Sequence, residues 1–455
     1  MTGDSPAVLP LTRELCAIAT NVVADANERL LATLARELPF VVHRYPSGAE
    51  HNGWQVPRKW IVERATISRD GKVVFDGTVH PLALAMYSRP FRGRLTLEEL
   101  KAHIVTNPEQ PDAHMFHSIW QIRGWAADWA FCMPHDIFRT LTPGLYDVDL
   151  AVRYEDGEMP VAVYEHKGRS ERTIVFNTNT CHPTQANDGF CAVAMLVRLF
   201  QWLAGRETYY SYRLVLGPEH LGSTFYTRDL GRQGMERLVA GIFAEMPGNA
   251  APICVTSSFL GKQRIDLACR NAVRRSRLGT RLAGWREGCG NDETVWEAPG
   301  NEVPFVEMTR AITPDRPYPE YHSSNDNPDL MDAELVAEFL CVLRDIVDIV
   351  EHDSRLYRHF DGLICLSNPA YDLYFERHDP TIDKGLTDED ERWGHLLDSL
   401  LRYFDGSLTV LEIAEKHGLP FRPLHDYLQR FVAKGLVTME FAPIERVPIS
   451  RARPR

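Results

Sequence analysis

Strands and helices alternate through the middle of this sequence, and that alternation constrains the fold more than any other feature. Two apolar stretches typical of buried strands, 172–178 and 212–216, are each followed by a segment with helical spacing of apolar residues, 189–203 and 231–243. Strands that alternate with helices predict a parallel sheet covered by helices. A longer helix with one apolar stripe is predicted over 332–352. The middle of the chain is therefore expected to be an α/β domain.

The segments on either side have a different pattern. Residues 11–38 predict one or two helices, whereas residues 46–164 are rich in strand-like stretches, with a hairpin expected over 145–163. Near the C-terminus, residues 408–437 read as helix, turn, helix and strand, which is the order found in a winged helix.

These changes of pattern predict three domains. An α/β domain made of two pieces is expected over 1–45 and 165–375, interrupted by an inserted β-rich domain over 46–164. A winged helix is expected over 390–455. A chain of 455 residues is long enough to bury a large core in each domain without disulfide staples.

Composition narrows the functional classes. The chain is 44% hydrophobic and 25% charged, as in ordinary globular proteins, and its net charge of −12 argues against a nucleic-acid-binding surface over the whole molecule. We expect a cytoplasmic protein without a membrane partner, because no apolar run of about 18 residues occurs and the first residues do not resemble a signal peptide. The nine cysteines include no Cys-x-x-Cys pair and are expected to be reduced thiols.

Polar residues follow the two predicted strands. His182 comes after the first strand and Glu219 after the second, and the carboxyl ends of parallel strands meet at one edge of a sheet. Asp188 precedes the next helix, where it could instead serve only as a cap. Asp292 and His322 lie in turn-like segments further along the chain. Histidine and carboxylate are ligands that suit a catalytic zinc, so we predict that these side chains gather around a divalent ion.

Four segments carry a resemblance to a known family. They are 180–188 (TCHPTQAND), 218–223 (PEHLGS), 291–293 (NDE) and 319–327 (PEYHSSNDN). Together they resemble a bacterial aminopeptidase-like family that is distantly related to the co-catalytic zinc aminopeptidases. The resemblance implies a mixed α/β sheet flanked by helices, of the zinc-aminopeptidase type, with an inserted β-rich domain and a C-terminal winged helix.

The resemblance also implies a set of metal ligands. His182, Asp188 and Asp292 would bind one zinc ion. Asp188 would bridge to a second zinc ion, held by Glu219 and His322.

One departure from the pattern leaves the number of zinc ions open. The wider aminopeptidase group has two adjacent glutamates, a base and a ligand, whereas here Glu219 is followed by His220. If Glu219 is the base, a single zinc ion on His182, Asp188 and His322 is the alternative.

The function implied by the resemblance is hydrolysis of a peptide or amide bond. Zinc would activate water, Glu219 would accept its proton, and the substrate would be a small peptide or an amide-containing small molecule. Glu293 and Tyr321 are predicted to contact the substrate, Glu293 by reading a free amino terminus.

Other functions remain open at this stage. The missing second glutamate is compatible with a pseudopeptidase that keeps the fold without hydrolysis. The winged helix could bind DNA, although its basic residues are few, or it could dock a protein or peptide. A homo-oligomer assembled through the inserted domain is also left open. Cys181 is a poor nucleophile candidate, because side chains of adjacent residues in an extended chain point to opposite sides and His182 could not act as its base.

Overall fold

A computed structural model describes residues 8–117, 119–374 and 387–451. The predicted domain limits at residues 1, 375 and 455 lie outside the described residues.

The described chain alternates between strands and helices through most of its length. The strands are β1 (Val41–Pro46), β2 (Glu50–His51), β3 (Trp54–Gln55), β4 (Lys59–Arg69), β5 (Lys72–Asp76), β6 (Phe91–Thr96), β7 (Ile104–Val105), β8 (Phe131–Cys132), β9 (Leu145–Glu155), β10 (Glu158–His166), β11 (Thr173–Asn179), β12 (Ser211–Gly217), β13 (Leu238–Ala244), β14 (Ile253–Thr256), β15 (Thr280–Ala283), β16 (Phe305–Arg310), β17 (Ser354–Arg358), β18 (Asp405–Thr409) and β19 (Val437–Phe441).

The α-helices are α1 (Val8–Cys16), α2 (Ala26–Ala35), α3 (Leu97–Lys101), α4 (Ile119–Ile122), α5 (His135–Phe138), α6 (Cys191–Ala204), α7 (Leu221–Glu236), α8 (Arg264–Ala272), α9 (Glu293–Trp296), α10 (Ala333–His352), α11 (Asp388–Ser399), α12 (Val410–His417) and α13 (Phe421–Ala433). A short π-helix, Ala186–Phe190, leads directly into α6.

A mixed eight-stranded sheet forms the centre of the molecule, in the order β1-β10-β12-β11-β13-β16-β14-β15. The strands β12, β11, β13 and β16 are parallel neighbours, and β14 is parallel to β15. The pairs β1–β10, β10–β12 and β14–β16 are antiparallel. The predicted mixed α/β sheet is therefore confirmed.

Helices cover both faces of this sheet. Along β11, Ile174 and Phe176 belong to the core beneath α1, α6 and α10, while Val175 belongs to the opposite core beneath α7. This alternation follows from the two-residue period of a strand, which sends successive side chains to opposite faces. The strand β11 is buried at every position, so it carries helical layers on both faces and rigidly supports the loop after its carboxyl end.

The longest described helix, α10, has a side-chain cap at its N-terminus and one apolar face that packs in the core. The side chain of Asp332 accepts hydrogen bonds from the backbone N–H groups of Glu334 and Leu335 at 2.8 and 3.2 Å, which satisfies donors that a helix start leaves unpaired. Phe339 and Leu343 on the inner face are fully buried. The helix predicted over 332–352 is confirmed.

The helix predicted over 231–243 is wrong. The helix α7 begins at Leu221 and ends at Glu236, and the following residues form the strand β13, which is buried at every position. A short run of buried apolar residues reads equally well as helix or strand from its periodicity, and pairing with β11 and β16 decides for strand.

The hairpin predicted over 145–163 is also wrong. The strand β9 pairs with β4 and β6 in a separate four-stranded sheet, in the order β5-β4-β9-β6, whereas β10 pairs with β1 and β12 in the central sheet. The two consecutive strands therefore belong to different sheets.

The C-terminal module, residues 387–451, packs onto the α/β layers. Its strands β18 and β19 flank β17, which comes directly after α10, and its helices α12 and α13 are separated by a turn at Gly418. The Asn271 side chain of α8 joins it by donating to Glu415 at 2.8 Å and accepting from the N–H of Phe421 at 2.7 Å. The identification of this module as a winged helix and the domain limits stay predictions.

Within the described residues, no helix has both the length and the apolar character required to cross a membrane.

We expect Leu343→Ala to lower the free energy of unfolding by about 2–5 kcal/mol, because it deletes a fully buried side chain from the core under α10. The matched control is Leu363→Ala, at a leucine that is 92% exposed, which should change stability by less than about 0.5 kcal/mol. Denaturant unfolding followed by circular dichroism measures both, and equal losses would contradict this assignment of the core.

Candidate metal centre

The candidate site lies at the carboxyl ends of three neighbouring parallel strands. His182 and Asp188 follow β11, and Glu219 follows β12, with Asn179 and Gly217 as register partners at the ends of those strands. The next parallel neighbour of β11 is β13, and Glu245 follows it directly. The expectation that His182 and Glu219 share one edge of the sheet agrees with this arrangement.

His182, Asp188 and His322 form a compact group in which one ligand atom from each residue lies within 4.8 Å of the others. Both imidazoles approach the same carboxylate oxygen. The Nε2 atom of His182 is 3.1 Å from Asp188 Oδ2, and that of His322 is 3.5 Å from it. Two imidazoles and a carboxylate suit zinc, and three protein ligands leave a fourth position for water or substrate. The donor set therefore fits a catalytic zinc ion.

The local fold fixes His182 and Asp188. His182 donates from Nδ1 to the backbone oxygen of Pro183 at 2.9 Å, which leaves Nε2 free as a ligand atom. Asp188 lies in the π-helix before α6, a rare conformation that is frequent at functional sites. The buried carboxylate of Asp326 accepts from the N–H groups of Asn187 and Asp188 at 2.8 and 3.1 Å, so it holds that π-helical turn in place.

The inserted β-rich region holds His322. The backbone oxygen of His322 accepts from the N–H of Phe116 at 2.7 Å, and the Phe116 ring stacks on His182 with centroids 3.8 Å apart. Ser323 donates to the side-chain oxygen of Gln110 at 2.7 Å. The insert therefore contributes directly to the geometry of the site, although the candidate ligands themselves lie outside it.

The pKa shifts favour the protonation states that metal ligation requires. Burial would raise the pKa of Asp188, but its hydrogen bond to His182 and its electrostatic interactions with both imidazoles lower it below its usual value. Burial lowers the pKa of His322 to about 4, so its imidazole is neutral near pH 7. An ionised carboxylate and a neutral imidazole are the forms that bind metal.

Glu219 lies beside this group. Its side chain is 44% exposed, and its immediate surroundings still raise its pKa, chiefly by removing water and also through the charges of Asp292 and Asp188. A glutamate whose pKa is raised is better suited to act as a general base than one with an unshifted pKa.

The structure does not bring Asp292 into the compact group. Its carboxylate is 1% exposed and faces the start of α7, where Oδ1 accepts from the backbone N–H of His220 at 2.5 Å and from His220 Nδ1 at 3.1 Å. Its other oxygen accepts from the hydroxyl of Ser223. Burial would lower the pKa of His220, but the hydrogen bond and charge of Asp292 and the charge of Glu219 raise it to about 9.

The two residues predicted to contact substrate have different neighbours. Tyr321 stacks on the His322 ring with centroids 3.8 Å apart. Glu293 is buried, accepts from Arg286 at 2.8 Å, and has a pKa that burial raises to about 7. Their contact with substrate stays a prediction.

Two buried carboxylates near the site were missed from the sequence. Burial and the neighbouring carboxylates raise the pKa of Glu245 well above its usual value, and Asp188 and Glu307 are among those neighbours. Glu307, in β16, is fully buried, and neither of its carboxylate oxygens has a hydrogen-bond partner among the described residues. A correct assignment of β13 as a strand would have placed Glu245 at the same edge as Glu219.

The fold of this protein is that of the zinc aminopeptidases, and the candidate site lies at the carboxyl ends of its parallel strands. The structure of BSAP, a zinc aminopeptidase from Bacillus subtilis, is similar to this one, with a TM-score of 0.56 and 13% sequence identity. The match covers 75% of this chain and 94% of the BSAP chain. A crystal structure of a provisionally assigned peptidase from Clostridium acetobutylicum covers 96% of both chains with a TM-score of 0.77 at 22% identity. These likenesses establish the fold.

The chain belongs to the family described as "Domain of unknown function (DUF4910)", whose model matches residues 10–353. A relative in Clostridium acetobutylicum is 24% identical over 442 residues, which is 94% of each protein. Its name assigns it provisionally to polysaccharide biosynthesis and gives it an aminopeptidase-like domain. The resemblance to aminopeptidase-like proteins is thereby confirmed.

We expect His182→Ala and His322→Ala each to weaken zinc binding at least about 100-fold, because each removes one of three donors. Zinc per chain, measured after dialysis against a weak chelator, provides the readout. His359→Ala, at an exposed histidine directly after β17, should keep the wild-type zinc content. Wild-type zinc content in both site variants would show that the ion binds elsewhere.

Proposed function

We propose that this protein is a zinc-dependent hydrolase of peptide or amide bonds, of the aminopeptidase type. One observation carries the proposal: His182, Asp188 and His322 form a three-donor group at the sheet edge, with the carboxylate of Glu219 beside it. The aminopeptidase fold and the name of the Clostridium relative support it.

When bound, zinc lowers the pKa of water toward neutrality and polarises the substrate carbonyl. Glu219 accepts a proton from the attacking water as the new C–O bond forms. It then donates that proton to the nitrogen as the C–N bond breaks, so that a carboxylic acid and an amine are released. Asp188 and the two imidazoles keep their protonation states throughout.

The proposed substrate is a small peptide or an amide-containing small molecule with a cationic amino end. Glu245, Glu293 and Glu307 are buried close together, and the nearest compensating charge is that of Arg286 on Glu293. A positive substrate group would relieve this concentration of carboxylates. The relative's name makes an amide on a biosynthetic intermediate a substrate to test beside simple aminoacyl amides.

Glu219→Gln separates the hydrolase from the pseudopeptidase alternative. We expect turnover of an aminoacyl-amide panel to fall about 10²–10⁴-fold while zinc content is unchanged, because the amide cannot accept a proton. Glu236→Gln, at an exposed glutamate in the last turn of α7, is the matched control and should retain wild-type rates. Equal turnover in both variants would rule out Glu219 as the base, and loss of zinc in the first would make it a ligand.

For the C-terminal module we propose docking of a protein or peptide partner. Two of its few basic side chains are engaged with the chain itself: Arg430 donates to the backbone oxygen of Asp372, and Lys434 donates to that of Ala370 at 3.0 Å. Each of these cations therefore already shares a donor with a backbone oxygen of the chain. A cytoplasmic location and a homo-oligomer remain proposals beside this one.

We therefore expect no mobility shift of random duplex DNA by the full chain at about 50 mM salt, where phosphate contacts are strongest. Fluorescence anisotropy with a labelled duplex gives an independent measurement. Binding that weakens steeply between about 50 and 200 mM salt would favour a DNA-binding module instead.

A further inference from the structure

A cavity lies at the edge of the central sheet opposite to the candidate metal centre. Its volume of about 560 Å³ falls within the range of roughly 300–1,000 Å³ that is typical of small-molecule pockets. The loop after β14 and the residues just before β16 line it. Because β14 runs antiparallel to β16, these two chain ends meet away from the loops that carry the candidate ligands. None of the described lining residues is a candidate metal ligand.

A firmly held turn presents two apolar side chains at this cavity. Phe259 is 66% exposed and Leu260 is 51% exposed. The carboxylate of Asp266 accepts from both the backbone N–H and the hydroxyl of Ser258 at 2.7 Å. The N–H of Gly261, whose φ is 66°, closes the turn on the oxygen of Ser258 at 2.9 Å. Two adjacent apolar side chains that a well-bonded turn holds in water indicate a binding surface.

Aromatic rings form part of the cavity wall. The ring of Trp285 meets that of Phe259 edge-on, with centroids 6.0 Å apart and an interplanar angle of 88°. An edge-on pair leaves ring faces available to a ligand. The faces of phenylalanine and tryptophan rings attract cations, and tryptophan does so most strongly. The remaining wall is largely apolar, with Pro299, Pro304 and Val447.

Glu297 adds an oriented carboxylate to this apolar wall. Its Oε1 atom accepts from the backbone N–H groups of Phe259 and Phe305 at 2.9 and 3.0 Å. Both hydrogen bonds that it accepts within the described residues use Oε1, so Oε2 is left for a ligand. Burial raises the pKa of this carboxyl, although the two N–H groups oppose the shift. A cation beside Oε2 would replace the stabilisation that water no longer gives the ionised form.

The charges around the cavity have a negative balance. Glu302 is a second carboxylate in the wall, and no lysine or arginine is among the described lining residues. The positive charge that opposes both glutamates is that of Arg446. Its guanidinium donates to the backbone oxygens of Asn301 and Glu302, so it is already bonded to the chain. Two carboxylates against one arginine disfavour an anionic ligand and favour a cationic one.

We propose that this cavity binds a small organic cation, namely a primary amine attached to an aromatic body. The ammonium group donates to Glu297 Oε2, and the aromatic body packs against Phe259 and Trp285. Glu302 adds to the negative potential that attracts the ligand. Binding at this cavity does not require hydrolysis at the metal centre.

Calorimetric titration of the full chain with three probes tests the class of ligand. Phenethylamine, phenethyl alcohol and 3-phenylpropionate share one aromatic body and differ in charge. We expect the affinity for the amine to exceed that for the alcohol and the acid by at least about 10-fold, because only the ammonium group forms a charged hydrogen bond with Glu297.

Two variants assign the binding to the cavity. Glu297→Gln keeps an oxygen for the two backbone N–H groups and removes the charge, so the affinity for phenethylamine should fall about 10-fold or more while that for phenethyl alcohol stays the same. Phe259→Ala should weaken the binding of all three probes. Glu63→Gln and Trp125→Ala, at an exposed acid and an exposed aromatic residue of the insert, are the matched controls and should bind as wild type does.

Three results would overturn the proposal. One is an unchanged affinity for phenethylamine in either cavity variant. Another is equal affinity of the wild type for all three probes, which would make the cavity a purely apolar docking surface. The third is a loss of amine binding in Glu245→Gln alone, which would place the amine beside the metal centre. Circular dichroism shows whether each variant is folded, and Phe259→Ala, at an exposed side chain, provides the measurement if Glu297→Gln is not.

Discussion

The site depends on one buried carboxylate. Two imidazoles converge on a single oxygen of Asp188, and the backbone N–H groups of Asn187 and Asp188 donate to Asp326. A buried negative charge is costly unless cationic groups compensate it, and burial leaves His322 neutral near pH 7. A cation bound between the three side chains would compensate this charge further.

Much of this could be predicted from the sequence, because sheet geometry alone brings loops after neighbouring parallel strands together. That reasoning connected His182 with Glu219. It missed Glu245 because the strand before it, β13, is buried at every position, and the spacing of its apolar residues does not distinguish a strand from a helix. Only its pairing with β11 and β16 identifies it as a strand. It assigned Asp292 to the metal, since nothing local shows that His220 and Ser223 occupy the carboxylate.

Three residues around the site have strained backbone conformations. Thr184, His220 and His322 all have positive φ values between 52° and 56°, a region that side chains with a Cβ seldom adopt. All three lie in loops at the edge of the central sheet, next to or among the candidate ligands. The doubly covered sheet is a stable support for such strain, because its strands are buried on both faces.

The contacts between the insert and the loop that carries His322 have a consequence for folding. The loop carrying this ligand is secured by backbone and side-chain contacts to residues of the insert, from Gln110 to Phe116, more than 200 positions earlier in the chain. Local opening of the insert would release a candidate metal ligand, so under the proposed function zinc affinity and insert stability are expected to be thermodynamically linked. Excising the insert would leave a peptidase-type scaffold with an unsecured third ligand, and the two regions are expected to evolve and unfold as one cooperative unit.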